Sequence, residues 1–378
     1  MADNLFFSRD TRVIVSDGTV WWEIPVLDGF SFSQATNTSE ITLAEMSSAA
    51  AGNASRRGRR MFNDSYAPAE WSFSTYARPF KSVVDVGTGW DGNSVQGHAV
   101  EEILWAALVG NGVFSKGNAD DNSSWAAGQG MGNTATTMTA DFSASNVASL
   151  KELDIYFIMG QGTYDAGTHT VYKLDGAVVN SAGIDFDLDG ITTINWSGFA
   201  KLITEEASIP TVSINEGASD TGNFIRNRLT TLAVTHAATG NFVADYNLTL
   251  TGGSINFENN ITFITPETLG VVNQPFAAVT GTRNIGGSFT CYLGNHTAGS
   301  ADLFEDLIES TTSITNDFNL VFTVGGATAP KIAITLPTCH LEVPTHSIED
   351  VISLETTFHA LPSTINGADE ASIVYTGA

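Results

Sequence analysis

Apolar and polar residues alternate with a period of two along most of the chain, the spacing of half-buried β-strands. Phe30 and Phe32 alternate with Ser31 and Ser33, and Trp71, Phe73 and Thr75 alternate with Ser72, Ser74 and Tyr76. Residues 153–159 and 170–174 read the same way. The β-branched run 11–15 is followed by Asp17-Gly18 and the apolar run 20–27, a hairpin pattern. Helical spacing is confined to two places. In residues 99–109, Ile103, Leu104, Ala107 and Leu108 form one apolar stripe that Gly110 and Gly112 close. In residues 302–310, Leu303, Phe304, Leu307 and Ile308 repeat that spacing. The expected fold class is all-β with one flanking helix per domain. Residues 46–64 and 115–141 are small and polar without a period, and are expected to be loops.

The two helices are one pair in a longer set of collinear matches. Val13 and Val15 match Leu232 and Val234, and Phe30 and Phe32 match Ile255 and Phe257. Residues 41–43 match 261–263, 71–76 match 287–292, 153–159 match 318–324, and 188–200 match 348–360. The order is the same in both halves, so two tandem domains are expected, residues 1–207 and 208–378. The offset shrinks along the chain, which places long insertions near 81–99 and 111–148 of the first copy.

The 378 residues include 16 Lys and Arg against 41 Asp and Glu, a net charge of -25. The first 207 residues hold 12 basic and 25 acidic residues, the remainder 4 and 16, so both halves suit one environment. This balance argues against duplex DNA as a tightly held ligand, because DNA-binding proteins neutralise phosphates with Lys and Arg. A hydrophobic fraction of 42% is too high for disorder. No window reaches the roughly 18 apolar residues of a spanning helix, and the first residues lack the basic and apolar regions of a secretory signal. No membrane partner is therefore expected. Cys291 and Cys339 fit two buried thiols better than a disulfide framework or a zinc site.

Candidate chemistry is sparse. Asp185, Asp187, Asp189 and Gly190 open like a calcium loop, but Trp196 stands where a bidentate Glu is needed. A solvated strand or turn is the better reading. None of the seven His lies in a close metal-binding pair, and no nucleophile elbow or phosphate loop occurs. No enzyme activity, metal or cofactor is expected. Arg56, Arg57, Arg59 and Arg60 place a quarter of the positive charge within five residues. No aromatic residue interleaves with them, which speaks against a nucleic-acid patch. They suit a contact loop that meets an acidic neighbour.

Residues 24–32, 40–46, 70–80, 101–109 and 188–200, with 248–263, 287–292, 302–308 and 348–360, resemble the tail tube proteins of long-tailed phages in their duplicated form. The resemblance implies two β-sandwich-like domains that each lend four strands to a closed inner β-barrel of the oligomer. Six domains to a ring imply a homotrimer with pseudo-sixfold symmetry. The rings stack into the tail tube of the virion, assembled in the host cytoplasm. Expected partners are further copies of the chain, a tape-measure protein, and the tail terminator and distal tail or baseplate proteins. DNA passes through without specific binding. An acidic bore repels it within a Debye length of about 8–10 Å. Lumen-facing candidates on expected strands are Glu40, Glu70, Asp154, Asp185, Asp187, Glu258 and Asp317. The four arginines are the candidate inter-ring contact. The insertion 111–148 has no place in the pattern and is expected to decorate the surface. Alternatives are a baseplate or secretion-tube component, or a β-sandwich carbohydrate-binding or adhesin module with Trp21, Trp22 and Trp90 as its platform.

Overall fold

A computed structural model describes residues 6–42, 59–82, 96–115, 124–126, 129–144, 150–160, 169–211, 218, 222–236, 242–309 and 317–378. The first half contributes strands β1 (Arg12–Ser16), β2 (Trp21–Ile24), β3 (Ser31–Ser33), β4 (Thr36–Thr42), β5 (Arg59–Tyr66), β6 (Ala69–Tyr76), β7 (Pro79–Lys81) and β8 (Gly97–Ala99). Helix α1 (Glu102–Val109) follows. Then come β9 (Phe114–Ser115), β10 (Ser124–Trp125), β11 (Met131–Asn133), β12 (Thr137–Asp141), β13 (Leu153–Met159), β14 (Thr170–Phe186), β15 (Thr193–Ala200) and β16 (Leu202–Glu206). The second half contributes β17 (Thr231–His236), β18 (Asp245–Tyr246), β19 (Leu250–Glu258), β20 (Thr262–Ile264), β21 (Ala277–Val279) and β22 (Asn284–Tyr292). Helix α2 (Ser300–Glu309) precedes β23 (Phe318–Val324), β24 (Lys331–Leu341), β25 (Thr345–Ser347), β26 (Ser353–Ala360) and β27 (Ser372–Thr376).

Local chemistry sets the first hairpin. Asp17 Oδ1 accepts the backbone N–H groups of Thr19 and Val20, each at 2.9 Å, and Gly18 takes φ 85°. An L side chain is disfavoured at that angle, and glycine is not. Strand β1 then pairs antiparallel with β2, with Val13 opposite Ile24 and Val15 opposite Trp22.

Two layers face one another across a shared core. The first runs β3–β6–β15–β14–β19–β22–β26–β24, all antiparallel, and β25 continues along β26 beyond β24. In the second layer, β2–β1–β13–β14–β16 come from the first half. Its other part is β18–β17–β23–β24–β27–β12–β11. Strands β14 and β24 belong to both layers. In each, the register shifts where the strand leaves one sheet for the other, as a bulge allows. Buried aromatics close the gap. Phe32 and Phe73 meet Phe157 at 4.6 and 6.5 Å, and Phe322 lies between Phe186 and Phe358 at 5.4 and 5.7 Å.

The fold is mostly β with two α-helices among the described residues, as the alternation predicts. Several particulars differ from the sequence reading. Helix α1 does not flank the sheets: all eight of its residues are buried. Trp105 packs on Trp196 and Phe257 at 4.9 and 5.6 Å, and its Nε1–H donates to the Tyr375 hydroxyl at 2.8 Å. The stretch 115–141 is not one long loop. Its strand β12 pairs with β27, and Trp125, Met138 and Ala140 are buried. The described part of this insertion thus completes the second half's sheet instead of decorating the surface. Residues 59–64 of the other expected loop form strand β5 against β4. Finally, Phe32 lies opposite Trp71 and Ile255 opposite Gly287. With Trp71 matched to Gly287, the counterpart of Phe32 is Ile255, two residues from the sequence match.

Candidate assembly surface

The first layer has one dry face and one wet face. Burial alternates along each strand: Trp71 and Phe73 of β6, Ile184 of β14, Trp196 of β15, Ile255 and Phe257 of β19, and Phe358 of β26 point to the core. Their neighbours point away. On that outer face Ser31 and Ser72 hydroxyls lie 2.9 Å apart, Ser74 Oγ donates to Asn195 Oδ1 at 2.7 Å, and the Ser181 and Ser197 hydroxyls lie 2.7 Å apart. Ser254, Asn256, Ser288 and Thr290 continue the polar surface across β19 and β22.

Charge on this face has one sign. Residues 31–33, 69–76, 178–186, 193–200, 250–258, 284–292, 339–347 and 353–360 contain no Lys or Arg. Glu70, Asp185 and Glu355 stand on the face exposed, and Glu258 half-buried. Three of the seven candidate lumen acids are therefore brought together here: Glu70, Asp185 and Glu258. Glu355 is a fourth that the sequence reading missed. The absence of basic residues was legible as a pattern, but only the strand pairings collect those segments onto one surface.

The other candidates stand elsewhere. Asp154 lies on β13 in the second layer, where it meets Lys173 Nζ at 3.0 Å. Asp175 shares that ammonium at 2.9 Å. Burial works against the Lys173 charge, but hydrogen bonds to Asp175 and Asp154 outweigh it and raise the pKa. Asp187 follows β14, exposed, and accepts the Leu188 N–H at 2.6 Å. Asp317 precedes β23, and its charge, with that of Asp306, partly offsets the burial that lowers the His236 pKa. Glu40 lies on the β4–β5 hairpin, 3.5 Å from Arg59. Several charges in and beside the second layer are paired within the protomer: Arg12 with Glu23, Lys151 with Asp17 and Lys201 with Glu152; Arg283, just before β22, pairs with Glu370.

Of the arginine cluster, Arg56 and Arg57 lie outside the described residues. Arg59 and Arg60 are exposed on β5. That hairpin is tied to the loop between β20 and β21: Tyr66 N–H donates to Asn273 O at 2.8 Å and Asn273 N–H to Asp64 O at 3.0 Å. The second hairpin loop exposes Leu269, Val271 and Phe276.

The layer also has two open ends. Among the described residues, strand β3 pairs with β6 alone and β25 with β26 alone. Unpaired strand edges invite another chain. No closed barrel forms within the described residues of one protomer.

Other candidates carry less. Trp22 is fully buried against Phe114 and Trp125 at 5.2 and 6.5 Å, and Trp21 is half-buried. Trp90 lies outside the described residues. The proposed tryptophan platform for a glycan thus loses its Trp22 member. Asp189 meets Arg228 at 3.6 Å, and no group of three or more metal-holding side chains occurs among the described residues. Cys291 and Cys339 are free and buried, and burial pushes their pKa values up to about 11 and about 12. No helix among the described residues is long and apolar enough to cross a membrane.

Comparison with known proteins identifies the family. The family described as phage tail tube protein matches residues 85–373. The tail tube protein pb6 of Escherichia phage T5 is 30% identical over 96% of this chain and 74% of that protein. The chain belongs to the phage tail tube protein family and is a structural component of the virion tail.

Proposed function

We propose that three protomers close into one ring and that the rings stack into a tube through which DNA passes. The observation that carries this reading is the first layer: eight strands with a polar face free of Lys and Arg, and an open edge at each end. The two halves of that layer have the same order of pairing. Strands β3, β6, β15 and β14 stand to one another as β19, β22, β26 and β24 do, which supports tandem domains at 1–207 and 208–378.

Three copies of eight strands make 24, and at about 4.8 Å spacing and about 45° tilt they close a circumference of about 160 Å. The backbone diameter is then about 50 Å, wide enough for a hydrated duplex. The face that carries Glu70, Asp185, Glu258 and Glu355 lines the bore. Its carboxylates repel phosphates, and without Lys or Arg it gives them no counter-charge to release ions against. The tape-measure protein occupies the same bore before DNA does, and the terminator and distal tail proteins cap the two ends. Arg56, Arg57, Arg59 and Arg60 at the β4–β5 hairpin meet acids of the adjacent ring.

Negative-stain electron microscopy of the purified protein at high concentration tests the reading. Hollow rods or threefold rings with an open bore are expected. Compact monomers that stay monomeric when an initiating tail tip is added would rule it out. Replacing all four arginines with Ala is expected to shorten or abolish rods and leave protomers folded. Rods of normal length and salt resistance would remove the inter-ring role.

A further inference from the structure

Resting on the ring reading, we infer that the junction between protomers is a copy of the junction inside each protomer, with strand β3 of one chain paired antiparallel to β25 of the next in a defined register. The partner is a second copy of this chain.

The internal junction is β14 against β19, with Ile184 opposite Ile255, Asp185 opposite Ser254 and Gly183 opposite Asn256. Each side of it has an equivalent at an open end. On one side, Phe32 and Ile255 hold the same place, opposite Trp71 and Gly287. On the other side, β14 runs along β15, and β24 then β25 run along β26. Both ladders shift by one residue at the same point. Val179 pairs with Gly198 and Ser181 with Ser197. Leu341 pairs with Phe358 and Thr345 with Glu355. With Ala200 matched to Ala360, Ile184 corresponds to His346 and Phe186 to Ile348.

Carrying the internal pairing across gives Phe32 opposite His346, Ser31 opposite Ser347 and Ser33 opposite Thr345 of the next chain. Phe30 then stands opposite Ile348. Exposure agrees with this assignment. Phe186, at the filled junction, is 4% exposed, and Ile348, at the open one, is 79% exposed. The helices show the same contrast. Leu108 of α1, over the filled junction, is 1% exposed, and its match Ile308 of α2 is 49% exposed. A neighbouring chain at the open edge covers the apolar groups that the second half of the chain covers inside the protomer.

Paired cysteines test the register, because directly opposed Cβ atoms in antiparallel strands lie about 4.5–5.5 Å apart. The variants S31C/S347C and S33C/T345C are expected to oxidise to covalent closed trimers within assembled rings. The slipped pair S31C/T345C is expected to stay uncross-linked. The native thiols are buried and do not compete. Rings or rods without these cross-links, or with the slipped pair cross-linked instead, would overturn the register and leave the ring reading standing. Failure of wild-type protein to form rings under any condition overturns both. A second variant, Ile348→Asp, is expected to weaken ring closure about tenfold or more with the protomer melting temperature unchanged. Normal assembly of that variant counts against the junction.

Discussion

Helices α1 and α2 share the same apolar spacing in sequence and have opposite surroundings. In α1 every residue is buried, Glu102 included; in α2 the buried residues are Ser300, Leu303 and Leu307. The difference follows from what lies over each. Above α1 the chain returns twice: β19 of the second half brings Phe257, and β27 brings Tyr375. Asn259 Nδ2 also donates to the Leu108 carbonyl at 2.8 Å, which satisfies one helix-end acceptor. Over α2 the described residues supply fewer such partners. Phe304 touches the His346 ring at 4.4 Å, and Asp306 accepts the Tyr246 hydroxyl at 2.6 Å. The same apolar spacing makes a core helix where both layers cover it and an amphipathic helix where fewer segments do.

The sharpest break of that contrast is Trp105→Ala against Phe304→Ala. Loss of the buried indole is expected to cost about 3–5 kcal/mol in denaturant unfolding of unassembled protomers. Phe304→Ala should cost well under half of that in the same experiment. Equal losses would mean that the two helices are equally embedded.

A second pair of positions inverts large and small. Trp71 lies opposite Gly198 in the first half, and Gly287 opposite Phe358 in the second. A Cβ on Gly198 would stand 2.0 Å from the Val178 carbonyl oxygen, and one on Gly287 1.9 Å from that of Ser254. Backbone must move to admit either. Gly198→Ala and Gly287→Ala are each expected to destabilise by about 1–3 kcal/mol, read as a lower melting temperature. Smaller neighbours such as Trp71→Phe should not rescue Gly198→Ala, because the closest obstacle is backbone.

The buried acid that precedes α1 gives a pH test. Burial raises the Glu101 pKa from 4.5 to about 7, against hydrogen bonds that lower it. The native state then holds a proton that the unfolded chain releases. Stability from this group is fullest below about pH 4.5 and falls as pH rises to about 7. Glu101→Gln should flatten that part of the stability profile, measured by denaturant titration at several pH values. An unchanged slope would assign it to other groups. The smallest effect is expected at the exposed hairpin pair. Arg59→Ala removes a contact to Glu40 and should change protomer stability by about 0.5 kcal/mol or less.

Much of the architecture was legible because it is written in periodicity. The alternation around Phe30, Trp71 and Leu153 marked strands, Asp17-Gly18 marked a turn, and the apolar stripes marked both helices. Collinear matches named the strand groups whose pairings recur in both halves. The site was less legible. Glu70, Asp185 and Glu258 share one face, but Asp154 went to the other sheet, because a strand pattern tells which residues share a face and not which sheet that face belongs to. Glu355 escaped notice for the same reason.

The sequence by itself determined the strand-rich class, the two helices, the acidic balance and the family resemblance, since these depend on residue order and composition. Tertiary structure decided that α1 is enclosed, that residues 131–141 join the second half's sheet, and that Phe32 stands opposite Trp71 as Ile255 stands opposite Gly287. Each of those rests on pairing between segments far apart in the chain. An apolar stripe does not encode how many partners will cover it, and a two-residue slip preserves the in-and-out alternation of a strand.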